Sequence, residues 1–308
     1  MEGIVYKSTG SWYVVRDDAG RVWNARMKGV FKLDAITSTN PIAVGDRVDL
    51  EPENEGESSA TITRIHDRHN HINRQSPRAK HHQHIVAANL DQSLLVATVR
   101  EPRTSLGFID RFLVACEMYH VPAVILFNKS DVYREPDREL FGAIRELYEE
   151  VGYKVLLVSV RKGEGLEEAQ SLLRDKTTLI SGHSGVGKSS FINAIVPEAK
   201  VKTKDVSGWS GKGMHTTTFA EMYDLPFGGR IIDTPGMREF GLVGVDRQEL
   251  SGYFPEMRAR LNDCQFNNCL HINEPGCAVK DAVAEGLISE DRYVSYYNIL
   301  DSLKEEKW

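Results

Sequence analysis

Gly182-His183-Ser184-Gly185-Val186-Gly187-Lys188-Ser189 follows the strand-like run Thr177-Thr178-Leu179-Ile180, and it stands downstream of Asn128-Lys129-Ser130-Asp131. A strand that enters a glycine-rich loop and opens a helix is the setting in which backbone N–H groups wrap phosphates. The positive N-terminus of the helix assists them. Gly182, His183, Ser184, Gly185, Val186 and Gly187 form the cradle. Lys188 is placed to reach the β- and γ-phosphates, and the Ser189 hydroxyl, with Ser190 beside it, to face Mg²⁺.

Asn128-Lys129-Ser130-Asp131 comes after the apolar run Val124-Ile125-Leu126-Phe127. An aspartate held there accepts two hydrogen bonds from the N1–H and 2-amino group of guanine. Adenine offers no such pair and would leave the carboxylate unpaired. Ser159-Val160 ends the next strand-like run, at the place for an auxiliary base contact. Asp233-Thr234-Pro235-Gly236 follows Arg230-Ile231-Ile232, so Asp233 is a candidate Mg²⁺ partner and the Gly236 amide a γ-phosphate sensor. Ordinary GTPases place the phosphate loop first and the base-reading motif last. The order here is that of a circularly permuted domain.

Residues 202–218 are rich in Gly, Ser and Lys, include Trp209 and Met214, and read as a switch ordered by the third phosphate. Either Thr216 or Thr217 supplies a Mg²⁺-facing hydroxyl; Thr217 is placed with Lys188 in the catalytic set. Met237 stands where many GTPases carry a water-orienting glutamine, which predicts slow intrinsic hydrolysis. His215 is the candidate for positioning that water; the alternative is a surface histidine of a loop.

The flanks differ from this core. Residues 1–70 read as short strands (3–6, 12–16, 21–25, 46–51, 61–65) broken by turns, which suits an oligonucleotide-binding-type barrel or an SH3-like one. Residues 71–88 read as a basic, His-rich linker. The wider stretch 64–84 holds Arg64, Arg68, Arg74, Arg78 and Lys80 against Asp67, and six of the ten histidines: His66, His69, His71, His81, His82 and His84. It is either solvated chain or a phosphate-contacting edge, with a histidine metal site a weaker option. Residues 89–240 alternate strand and helix, as a mainly parallel α/β sheet requires, with Cys116 on a core-facing side of its helix. Residues 241–308 read as helical at 248–261, 279–284 and 290–305 around a polar, cysteine-rich stretch.

In that stretch Cys264, Cys269, His271 and Cys277 offer three thiolates and an imidazole, a closed set suited to structural Zn²⁺, one per chain. Hydrophobic residues make up 41% and charged residues 27% of 308 positions, ordinary for a soluble chain. No run of about 18 apolar residues predicts a membrane span, the start lacks a secretory pattern, and the four cysteines suit a reducing compartment. Together these predict a cytoplasmic protein. The net charge of −6 confines any nucleic-acid contact to local basic patches.

Taken together, the order NKSD, GHSGVGKSS, GMHTTT, DTPG and C-x4-C-x-H-x5-C resembles the RsgA (YjeQ/YloQ) family of circularly permuted bacterial GTPases over essentially the whole chain. The family pattern more often carries Arg where this chain has Met214, so a phosphate contact is expected to be missing there. The resemblance implies a GTPase of late small-subunit (30S) assembly, hydrolysing GTP to GDP and phosphate with stimulation by the subunit. It also implies 16S rRNA as partner, Mg²⁺ with GTP or GDP, and a monomer.

Overall fold

The computed structural model describes residues 1–27, 41–54, 56–75, 83–199, 201, 220–234, 242 and 244–303. Five strands open the chain: β1 (Glu2–Ser8), β2 (Tyr13–Asp17), β3 (Val22–Met27), β4 (Arg47–Pro52) and β5 (Ser59–Ile65). They alternate buried and exposed positions because one face is packed inward, around Val5, Tyr13, Val15, Trp23, Val48, Leu50 and Ile62. β1 pairs with both β2 and β4, and β3 runs parallel to β5, so the ring closes. That closure is the oligonucleotide-binding type of barrel and not the SH3-like alternative.

Residues 71–88 form more than a linker. β6 (His71–Gln75) and β7 (Gln83–Ala88) pair antiparallel, because Ile72, Ile85 and Val86 are apolar enough to be buried there. Arg78, Lys80, His81 and His82 lie outside the described residues.

A parallel sheet follows. Its strands are β8 (Gln92–Ala97), β9 (Ala123–Phe127), β10 (Lys154–Leu157), β11 (Thr177–Ser181) and β13 (Arg230–Asp233), with β12 (Glu221–Asp224) antiparallel to β13. The order β10-β9-β8-β11-β13-β12 puts β8 at the centre, buried at every position. Leu95 and Ala97 meet α1 (Leu106–Met118) and α2 (Glu135–Val151) on one face. Leu94 and Val96 meet α3 (Leu166–Leu173) and α4 (Lys188–Ile195) on the other. Cys116 is buried in the first cluster, which pushes its thiol far up. β12 also pairs antiparallel with β1, Lys7 opposite Glu221, so sheet and barrel share one run of hydrogen bonds. Ion pairs Lys7–Glu221 and Arg16–Asp224 flank that seam.

The C-terminal part differs from expectation at 248–261. Instead of one helix there are 3-10 turns at Leu250–Tyr253 and Leu261–Asp263 around a short α5 (Pro255–Arg258), because Pro255 has no N–H to continue a helix and starts a new one. α6 (Ala278–Ala284) and α7 (Glu290–Ser302) complete it. Among the described residues no helix is long and apolar enough to cross a membrane.

α7 packs on α1 through a charge cluster in which Arg292 and Asp110 are buried and Glu256 is nearly so. Arg292 donates to Asp110 Oδ1 at 2.6 Å and to both carboxylate oxygens of Glu256, at 2.7 and 3.1 Å. Tyr148 donates to the same Asp110 oxygen at 2.7 Å, and the Phe254 ring lies under the guanidinium at 4.7 Å. Removing one partner from such a pair strands the other in low dielectric. Arg292→Met should therefore lower the unfolding free energy by about 3–5 kcal/mol in urea titration, and Arg292→Lys by less.

Candidate nucleotide and metal sites

Parallel strands carry their loops to one end, and here every described motif collects there. Ile180 of β11 is in register with Asp233 of β13, so the phosphate loop and Asp233 leave neighbouring strands side by side. Leu157 of β10 is in register with Phe127 of β9, which sets Ser159 beside Asn128.

The loop 182–187 needs glycine for two steric reasons. Gly182 has φ of +147°, and a Cβ there would strike the carbonyl oxygen of Val96. Gly187 has φ of +94° and faces the Asn128 amide, leaving no room for a side chain. The buried Asn128 uses that closeness: its Nδ2 donates to Val186 O at 3.0 Å, and its Oδ1 accepts from Val160 N at 3.2 Å. One amide thereby joins the phosphate loop, the base-reading loop and the Ser159 loop.

Lys129 sits at φ of 68°, and its Nζ donates to Glu101 O at 2.5 Å. Ser130 N donates to Val158 O at 3.1 Å, and Ser159 Oγ donates to Asp131 Oδ1 at 2.7 Å, orienting the carboxylate. Lys188 Nζ, at the start of α4, donates to Thr234 O at 2.7 Å and lies 3.1 Å from Asp233 Oδ1. Burial pushes the Asp233 carboxyl up, and the Lys188 ammonium counters it only in part. A buried carboxylate in that condition gains from a second cation. Ser189 and Ser190 follow in the first turn of α4, while Ser184 and Gly185 are exposed at the mouth. His215, Thr216, Thr217, Gly236 and Met237 lie outside the described residues.

Three supporting residues had no signal in the sequence. Tyr133 donates to Asn128 O at 3.1 Å and accepts from Val99 N at 3.2 Å, and burial pushes its hydroxyl up to about 12. Thr104 contacts His183, and Glu101 receives Lys129. Each is a loop residue with at least one partner distant along the chain, which no local spacing marks.

At the C-terminal end, the candidate donor atoms of Cys264, Cys269, His271 and Cys277 all lie within 4.8 Å of one another. His271 Nδ1 faces Cys277 Sγ at 3.3 Å and Cys264 Sγ at 3.7 Å. Burial pushes the Cys269 thiol up to about 12 and the His271 imidazole down. Desolvated thiols and a neutral ring are the donor set that a soft divalent cation converts to ligands. Glu274 holds the turn. Burial alone would raise its carboxyl, but N–H donation from Leu270, Ile272 and Asn273 outweighs this and keeps it at about 2. Tyr293 and Tyr296 donate to the carbonyls of His271 and Leu270, at 2.5 and 2.8 Å.

The sequence matches the RsgA GTPase family over residues 65–243 and the RsgA N-terminal domain over residues 2–60. It is 51% identical to the small ribosomal subunit biogenesis GTPase RsgA of Flavobacterium psychrophilum, across 98% of this chain and 93% of that one. It is 49% identical to RsgA 2 of Bacteroides thetaiotaomicron, across 100% and 99%. The fold matches the crystal structure of YjeQ from Thermotoga maritima with a TM-score of 0.81 and 33% identity, covering 99% of each chain. It matches the crystal structure of YloQ, a circularly permuted GTPase, with a TM-score of 0.75 and 30% identity, covering 100% and 96%. Motif order, strand order and relatives agree, and the chain belongs to the RsgA family of circularly permuted GTPases.

Proposed function

We propose that this GTPase acts on the small (30S) ribosomal subunit late in its assembly, hydrolysing GTP to GDP and phosphate at a rate raised by that particle. The single observation that carries the nucleotide part is the convergence of Asn128, Asp131, Ser159, the loop 182–189 and Asp233 on one end of the sheet. The partner is supported by the names of the relatives, which are small ribosomal subunit biogenesis GTPases. The barrel offers a feature suited to RNA, the exposed ring of Trp12. With a net charge of −6, 16S rRNA contacts would be local, not global.

In this reading Asp131, aligned by Ser159, selects guanine, while Asn128 and Lys129 brace the base and ribose side. Amides of 182–190 and the Lys188 ammonium hold the phosphates. Ser189, Asp233 and a switch threonine (Thr216 or Thr217) would hold Mg²⁺, which when bound neutralises charge on the β- and γ-phosphates. His215 orients the attacking water, whose oxygen bonds to the γ-phosphorus as the bond to the β-phosphate oxygen breaks. Gly236 reports loss of the third phosphate. Cys264, Cys269, His271 and Cys277 would hold Zn²⁺ as a closed set of four ligands, a folding role. The working units are the barrel (1–70), a connecting segment (71–88), the nucleotide domain (89–240) and the helical metal domain (241–308), in a cytoplasmic monomer.

Measured GTP turnover should be slow for the isolated protein and rise at least tenfold with small subunits; stimulation only by a protein, or no turnover in either case, would sink the assignment. Asp131→Asn exchanges an acceptor for a donor, so affinity for GTP should fall about 10- to 100-fold while xanthosine triphosphate, which carries a carbonyl at C2, gains. Equilibrium titration with both nucleotides checks this. Chelation under reducing conditions should release zinc and abolish cooperative unfolding of 241–308, seen as loss of α7 helicity by circular dichroism. Retention of that helicity after complete metal release would exclude the folding role.

A further inference from the structure

The side chain of His183 is engaged with the turn that starts α1. Its Nε2 lies 2.7 Å from Thr104 Oγ1, and its Nδ1 lies 3.3 Å from the Ser184 carbonyl oxygen. The Ser184 carbonyl can only accept, so Nδ1 carries the hydrogen toward it; Nε2 then accepts from the Thr104 hydroxyl, whose oxygen also accepts from Thr98 N at 3.0 Å. Phe108, in the first turn of α1, meets the imidazole edge-on with centroids 5.4 Å apart. Pro102 Cδ sits 3.3 Å from where a Cβ on Gly185 would stand, so the 98–104 turn lies directly against the loop.

Further along the same helix stand the contacts to the C-terminal part. Asp110 holds Arg292 of α7 in a fully buried pair, and Arg111 donates to Ser302 Oγ at 3.0 Å. Val114 enters the apolar cluster of Leu250, Phe254, Tyr296 and Ile299, and Glu117 pairs with Arg258 at 2.9 Å. α1 is thus gripped at its start by the phosphate loop and along its length by the C-terminal part.

We propose that His183 is a positioning residue that passes the state of the phosphate loop to the C-terminal part through α1. The proposal rests on the GTPase reading above. A loop that closes on phosphates shifts its own backbone, and the Thr104 and Phe108 contacts load that shift onto the first turn of α1. The Asp110–Arg292 pair does not stretch, because separating two buried charges costs too much; α7 follows the helix. Coupling is reciprocal, so a partner that repositions α7 alters nucleotide affinity by the same factor. This route is separate from the segment after Asp233, which links the two parts in sequence.

The test is amide hydrogen exchange across 290–302 in the full-length protein, with and without GDP at concentrations that saturate each variant. GDP should slow exchange there about fivefold or more in the wild type. In His183→Ala the slowing should vanish, and in His183→Gln, whose amide can bond Thr104 Oγ1, it should return. Equal slowing in His183→Ala, or none in a wild type with GDP bound, overturns the proposal and leaves the GTPase reading standing. Exchange that rises in His183→Ala equally with and without GDP marks a merely structural histidine and also overturns it. A wild type that binds no GDP removes the GTPase reading, and this proposal with it.

Discussion

The Asn128 side-chain amide is the constraint on which the site depends. Permutation places the 128–131 loop, the Ser159 loop and the 182–187 loop in an order that no chain continuity enforces. One amide, donating to Val186 O and accepting from Val160 N, holds the three loops in register. It does so because Gly187 has no side chain to keep it away. Burial strengthens the bond to Val186 and makes a lone replacement costly, since that carbonyl would be left without water or protein to satisfy it.

A second dependency is the sharing of hydrogen bonds between barrel and sheet. β12 has β13 on one side and β1 on the other, so the strand next to the proposed switch is also the strand that carries the barrel. The C-terminal part is attached differently, by helix α1 and a charge cluster and, among the described residues, not by backbone pairing. The nucleotide domain therefore presents two couplings of unlike stiffness, one through a sheet and one through side chains.

Much of this was legible in the sequence because its physics is local. Strand–loop–helix context, apolar runs before NKSD and DTPG, and thiol spacing near His271 are all patterns of neighbouring residues. What sequence did not reveal was tertiary. Tyr133 and Thr104 matter through partners brought close by the fold, and Glu274 through a turn whose N–H groups converge on it. The 71–88 stretch read as a linker because its histidines and arginines dominate the composition, although Ile72, Ile85 and Val86 suffice to pair and bury two strands. The single helix read at 248–261 ignored Pro255, whose missing N–H divides it.

The seam between β1 and β12 bears on how the chain is made. Lys7 leaves a ribosome 214 residues ahead of its partner Glu221. β8, β9 and β10 lie side by side in the order of their synthesis, so the central sheet grows outward as it is translated. β12 and β13 come late and must find both an inner partner, β11, and an outer one, β1. Loop closure over such a span is slow. The Lys7 end of the nascent barrel's first strand, beyond the part paired with β4, must therefore wait without its β12 partner until the end of the nucleotide domain arrives to cover it.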